Sequence, residues 1–374
     1  PSEFRIAAQL GCRGLAMHTH RSLRTSDGEG EDHVVCPLEC AWPHMPLEPN
    51  TFGITVCCMV RDFTYLAQRK GNWINRYSRV ATTMSLLVLC IIIQVFLLKQ
   101  VKMFVSARVT HDVRAAYDRF QDVMYNGDTY ILREEPLLER RGIGGPQGPY
   151  FDSKAFDTLT EEEQEAVCHI PLSQPWFFFT VLYVWTLTCV AELRKCKDVF
   201  EGLILQTEQC DDMSEALVDD DDFDGIESFV IARLTRSMKV ALSVLVLLPR
   251  LLITCYLLWV GSRWLLGTTN FSELIINSVA LEFILNLKEL LYLAIVPRRS
   301  MIDLENTNIK PTSPKEPESL MVLVGTMSWA VLAAVWVLFY IGFPGISGFQ
   351  TVLRHYQWDV HEICSDWITL RYKT

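Results

Sequence analysis

Apolar residues in this chain come in blocks. Five stretches, 80–98, 176–193, 240–261, 274–296 and 320–343, are almost wholly apolar. Each is close to the roughly 20 residues that a helix needs to cross about 30 Å of hydrocarbon. The pattern predicts an all-α, polytopic membrane protein with five transmembrane helices. Position 249 is proline, at the centre of the third block, and predicts a kink there.

The intervening segments differ in kind. Residues 1–79 begin with a stretch that has no helical period, expected to be a loose cytosolic arm. Within it, Phe63, Tyr65, Leu66, Trp73 and Tyr77 alternate with five basic residues over 59–80, a composition suited to a helix lying in the headgroup layer. In 99–175, Val101, Phe104, Val105, Val109, Val113, Tyr117, Phe120 and Met124 recur at three- and four-residue steps. They predict that the first span continues outward as an amphipathic helix. A glycine-rich break follows at 142–149, and Thr160 with Glu163 forms a capping box opening a short helix to Cys168. The tail 344–374 carries Trp358, Val360, Ile363, Trp367 and Ile368, enough apolar surface to pack on that loop. Together 99–175 and 344–374 are expected to form a small extracytoplasmic cap. The other connections are an acidic loop at 194–239, a short outer link at 262–273 and a second inner loop at 297–319.

Charge sets the orientation. Arg61, Arg69, Lys70, Arg76 and Arg79 precede the first span; Arg194, Lys195, Lys197, Arg233, Arg236 and Lys239 lie in the acidic loop; Arg298, Arg299, Lys310 and Lys315 lie in 297–319. The alternate segments offer only Lys99, Lys102, Arg108, Arg114, Arg263 and Arg354. The positive-inside rule therefore places the N-terminus in the cytosol and the C-terminus outside, in the plasma membrane or an endomembrane. The sequon at Asn270 falls in an outer link, as a glycosylated asparagine must. Cys168 and Cys364 are the single cysteines of the two outer regions, and a bridge between them would tie loop to tail. Half of the residues are hydrophobic and the formal charge is −10. The acid excess sits in loops, which gives no reason to expect nucleic acid as a partner.

Candidate chemistry concentrates in the third and fourth spans. An ionisable group at membrane depth costs roughly 2.5–3.5 kcal/mol even on lenient scales, so it signals a partner, a cavity or a task. Arg250 lies mid-way along the third span; Glu282, Asn286, Lys288 and Glu289 lie in the fourth. At 100° per residue, Ser278, Glu282, Asn286 and Glu289 share one narrow face, and Asn277 and Lys288 an adjacent one. Counted along antiparallel helices, Arg250 is level with Asn286, which suggests an ion pair to Glu282 or Glu289. This face is the candidate transport pathway: Arg250, Glu282, Asn286, Glu289, Ser278 and Lys288.

Three other patterns carry less. Asp220, Asp222, Asp224 and Gly225 match positions 1, 3, 5 and 6 of an EF-hand loop, but position 12 is Ile231. A solvated acidic linker is the preferred reading, with calcium the lesser alternative, and no other cofactor is expected. Cys36 and Cys40, with His33 and His44 nearby, do not have zinc-finger spacing. Cys57 and Cys58 could be acylated, though inert reduced thiols are the preferred reading. No histidine falls within the five blocks and no nucleotide or kinase signature is present, so no enzyme is expected. The sequence thus points to an ion channel or small-solute transporter component, working as a homo-oligomer in the lipid bilayer. The alternative is a non-transporting scaffold or receptor whose buried charges only fix helix packing and whose cap binds a protein partner.

Overall fold

The computed structural model describes residues 45–125, 151–220, 228–309, 320–343, 346–353, 356 and 358–372. A two-residue strand β1 (Met45–Pro46) leads to helix α1 (Thr51–Ala67), whose first turn is capped by Asn50, the side chain accepting from the Gly53 N–H. The capping removes one of the orphan donors that every helix start exposes. The chain then breaks at Arg69 (φ 56°) and Gly71 (φ 82°) and re-enters a helix at Asn72, a second cap. Helix α2 (Trp73–Gln100) runs through a π-helical turn, Val101–Ser106, into α3 (Ala107–Met124). The expected helical continuation of the first span is therefore present, with Val113, Tyr117, Phe120 and Met124 buried along its stripe.

The segment expected to lie flat over 59–80 is arranged differently. Its first part belongs to α1, in which every residue from Thr51 to Val60 is buried, and its second part is the start of α2. The aromatic and basic residues that suggested an interfacial helix instead serve two elements: Arg61 lies over the Phe229 ring, and Trp73 and Tyr77 stay exposed at the head of α2.

Beyond the break come α4 (Glu161–Cys168), opened by the Thr160–Glu163 capping box, and α5 (Pro175–Phe200) with its π-helical end Glu201–Gln206. Strands β2 (Glu208–Gln209), β3 (Leu217–Asp220), β4 (Ser228–Ile231) and β5 (Arg233–Leu234) follow. Next are α6 (Arg236–Leu242), a π-helical Ser243–Leu247, and α7 (Leu248–Gly267). Pro249 explains that π-helical turn: it has no N–H to offer Leu245, and its ring crowds that carbonyl, so the helix widens below it. Helices α8 (Phe271–Ile295) and α9 (Arg298–Glu305), strand β6 (Thr307–Ile309), α10 (Leu320–Ile341), the hairpin of β7 (Gly342–Phe343) with β8 (Ile346–Ser347), and α11 (Asp359–Tyr372) complete the chain. A four-stranded sheet in the order β1-β6-β4-β3 gathers three widely separated segments. Sequence periodicity gave no sign of it, because its strands are two to four residues long.

Among the described residues, three helical runs are long and apolar enough to cross a membrane: Trp73–Met124, Pro175–Gln206 and Arg236–Gly267. The other two expected spans are less clear-cut. Helix α8 has the length but carries Glu273, Glu282, Lys288 and Glu289, and α10 contributes a shorter apolar run, Met327–Ile341. Exposed apolar side chains, among them Ile92, Phe96, Leu252, Phe283 and Phe339, point away from the helix contacts. Such a belt is what lipid covers. Where α5 and α7 cross, a Cβ on Gly261 would come within 2.7 Å of Trp185 Nε1, so glycine permits that close approach.

At one end, α3, α4 and α11 pack into a cluster clipped by the Cys168–Cys364 disulfide, the expected link between loop and tail. Fully buried Asp359 accepts from Tyr117 and Tyr125, both at 3.1 Å. Burial raises the Asp359 carboxyl above its ordinary value, and the two phenols only partly offset it. The folded state therefore holds that proton more tightly than the unfolded chain does. Stability from this site is present at low pH and is lost as pH rises from the unfolded value through the raised one. Asp359→Asn is expected to flatten this fall in a melting-temperature titration, and an unchanged slope would refute the assignment.

Candidate functional site: a buried ion cluster

Four elements bring charge to one place. Along α5, Phe178, Leu182, Trp185, Cys189, Cys196 and Val199 form the buried stripe, and Glu192 falls on it at the same three- and four-residue spacing. Its Oε2 accepts from Arg250 Nη2 of α7 at 3.0 Å and from Lys288 Nζ of α8, while Lys195 Nζ reaches its Oε1 at 2.9 Å. The same Arg250 nitrogen meets Glu48 Oε2 at 2.7 Å. Glu192, Arg250 and Lys288 are 5%, 4% and 2% exposed, so solvent screening is slight and the pairing is strong. Removing Glu192 leaves Lys288 a buried charge without a partner.

Glu48 is held by the turn that starts α1. Asn50 Nδ2 donates to the Glu48 carboxylate at 2.6 Å while its side-chain oxygen caps the helix. A Cβ on Gly53 would lie 2.0 Å from the Glu48 carbonyl oxygen, so only glycine lets the turn close this tightly. Thr51 Oγ1 donates to the Lys288 carbonyl at 2.6 Å, which fastens α1 to α8. Beside the cluster, Phe52, Gln94, Thr254 and Leu285 join Arg250 and Lys288 around a cavity of about 10 Å³, room for a single water. Arg250 Nε, buried, has no hydrogen-bond partner among the described residues.

The predicted site is thus divided. Arg250 and Lys288 come together, but Arg250 pairs with Glu48 and Glu192 instead of Glu282 or Glu289. Glu282 is exposed, and Ser278, Asn286 and Glu289 are half-buried; none of the four forms an ion pair with Arg250 or Lys288 among the described residues, though Glu289 lies near enough to Lys195 to act on it. On the helical wheel Lys288 belongs to a different face from Ser278, Glu282, Asn286 and Glu289, and it is the one of the five that is fully buried. Glu192 was missed because it stands beside Arg194, Lys195 and Lys197 and resembled a flank, although the α5 stripe marks it. Glu48 had no sequence signal, being 202 residues from Arg250.

Asn270 is exposed and caps α8, its Oδ1 accepting from the Ser272 N–H and hydroxyl. Asp220 ends β3 with its backbone paired to Ser228, so at least part of the acidic run is flanked by strands and not by EF-hand helices. Asp222 and Asp224 lie outside the described residues, as do Cys36 and Cys40. No group of three or more metal-ligating side chains forms among the described residues. Cys57 and Cys58 are 1% exposed, and burial pushes their thiols up to about 11 and about 12. Neither is open to acylation in this conformation.

Compared with known proteins, the chain matches no protein-family model, no curated protein and no solved structure.

Proposed function

We propose that this chain is a five-span membrane protein that moves a small anion through the region of the ion cluster, with Glu48 as a tethered carboxylate that occupies the anion's place. One observation carries the reading. Within the helices, Arg250, Lys288 and Lys195 share the single carboxylate of Glu192, and the second carboxylate comes from Glu48, on a segment outside any of the long apolar helices. Withdrawal of Glu48 would raise the cluster's excess from one positive charge to two and uncover Arg250.

The cytosolic N-terminus rests on the basic residues beside the inner ends of the helices. The disulfide supports placing the α3, α4 and α11 cluster on the oxidising side, as an outer cap. Exposed Glu282, among Ile276, Val279 and Phe283, has no ion-pair partner among the described residues, and supports a homo-oligomer that covers it.

A second reading has its own support. The charges of the cluster are paired and the cavity holds one water, which suits a scaffold whose ion cluster only fixes helix packing. Chloride flux from liposomes holding the purified protein separates the two. Transport predicts that Glu48→Gln raises flux severalfold, with chloride favoured over potassium, in protein that elutes and melts like wild type. No flux from either protein would sink the transport reading and leave the scaffold.

A further inference from the structure

A second cavity, of about 180 Å³, opens between the head of α2, the end of α8 and the start of α9. Its wall changes character with depth. Leu86, Ile295 and Val296 give it an apolar side, while Arg79, Thr82 and Ser300 give it a polar one. Leu86 lies about 10 Å along α2 from Arg79, two turns toward the middle of the helix. Trp73 and Tyr77, 64% and 51% exposed, stand at the head of α2, where aromatic side chains mark the boundary between acyl chains and headgroups.

Arg79 is the charged residue of the lining, and the charge around it is positive and incompletely matched. Arg61, Arg76 and Arg79 face the two carboxylates Asp62 and Asp303, with Arg61–Asp303 at 2.6 Å, Arg76–Asp62 at 2.9 Å and Arg79–Asp303 at 2.7 Å. Helix α9 then begins with Arg298 and Arg299, both exposed and neither in an ion pair among the described residues. No side chain caps this helix and no acidic residue sits in its first turn. Two cations at the positive end of a helix dipole repel it, so the start of α9 is electrostatically unfavourable unless an anion is present. An independent observation points the same way. Ser300 is 9% exposed and lines the cavity, and its hydroxyl has no hydrogen-bond partner among the described residues. With the rest of the residue buried, that oxygen opens into the cavity, so its partner comes from whatever fills the cavity.

We infer that this cavity holds the phosphate of an anionic phospholipid, with its first acyl carbons against Leu86, Ile295 and Val296. The phosphate would take hydrogen bonds from the Ser300 hydroxyl and the free N–H groups of α9 and would face Arg298 and Arg299. Basic pockets between helices at a headgroup boundary recognise anionic lipids in this way. The inference needs the helices to sit in a bilayer; it does not depend on transport.

The test is native mass spectrometry of the purified full chain after exchange into mixed micelles with equimolar phosphatidylglycerol and phosphatidylcholine. Wild type is expected to retain one phosphatidylglycerol in about tenfold preference, and Arg298→Gln with Arg299→Gln to bring the two lipids near parity. Thr82→Phe narrows the cavity without changing its charge and is expected to lose the lipid. Equal retention of both lipids by wild type overturns the site, and this comparison stands even where a variant fails to fold. Retention of phosphatidylglycerol by folded Thr82→Phe also overturns it. If inorganic phosphate alone displaces the phosphatidylglycerol, the site belongs to a soluble anion and the lipid assignment falls.

Discussion

Glu192→Gln is expected to cost more stability than any other single substitution in the ion cluster. The amide keeps the shape of the side chain but leaves Lys288, 2% exposed, with no opposite charge, and leaves Arg250 only Glu48. Breaking a buried pair from one side costs about 3–5 kcal/mol, a large part of the stability of an ordinary domain. The variant should be recovered poorly after detergent extraction and melt well below wild type. Lys288→Met alone should cost less, because Glu192 retains Arg250 and Lys195. The two together should recover much of the loss, since a methionine in place of the ammonium no longer needs the carboxylate. Scanning fluorimetry on the four proteins measures this coupling. A Glu192→Gln protein that melts with wild type would show that the cluster is not closed as described.

The second large effect is expected at the disulfide. Replacing Cys168 and Cys364 with alanine removes a link between residues 196 apart in sequence. The chain-entropy relation gives about 5 kcal/mol for so long a loop. Two helices long and apolar enough to cross a membrane, α5 and α7, lie within that loop, however, and such helices stay helical in lipid even when unpacked. The unfolded chain is already restrained, so a loss of about 2–4 kcal/mol is the better expectation. The loss should also be local. Limited proteolysis is expected to release α11 early in the alanine variant while α2, α5 and α7 stay protected. Equal protection of α11 in both proteins would show that packing through Val360, Tyr356 and Asp359 holds the tail without the bridge.

These cases show what could be read in advance. Apolar block length found the long helices, since crossing hydrocarbon imposes a minimum run. The stripe from Val113 to Met124 foretold the extension of α2, because a helix period is local. The pairing of Cys168 with Cys364 followed from compartment and count. The ion cluster was legible only in part: Arg250 and Lys288 stood out as charges in apolar surroundings, whereas Glu192 was hidden by a basic flank. Glu48 and the four-stranded sheet depend on segments hundreds of positions apart, and no periodicity carries such information. The inward turn of Lys288 and the outward turn of Glu282 were beyond a helical wheel, which gives angles between residues but not the direction of the neighbours.

The sheet also sets an order of manufacture. Met45 pairs with Ile309, and β4 reaches β6 only through Phe229, Val230 and Ile231, so the strand that completes the set is among the last parts of this region to leave the ribosome. Until Thr307–Ile309 emerges, β1 has no strand to join, and Glu48, two residues beyond it, lacks that anchor. Until then Glu48 is placed against Arg250 only by the Asn50 turn and by the Thr51 contact with α8. A nascent chain arrested before Thr307 would keep the Arg250–Glu192 pair but hold Glu48 less firmly, so the sheet is a late lock on a cluster whose other members are already joined.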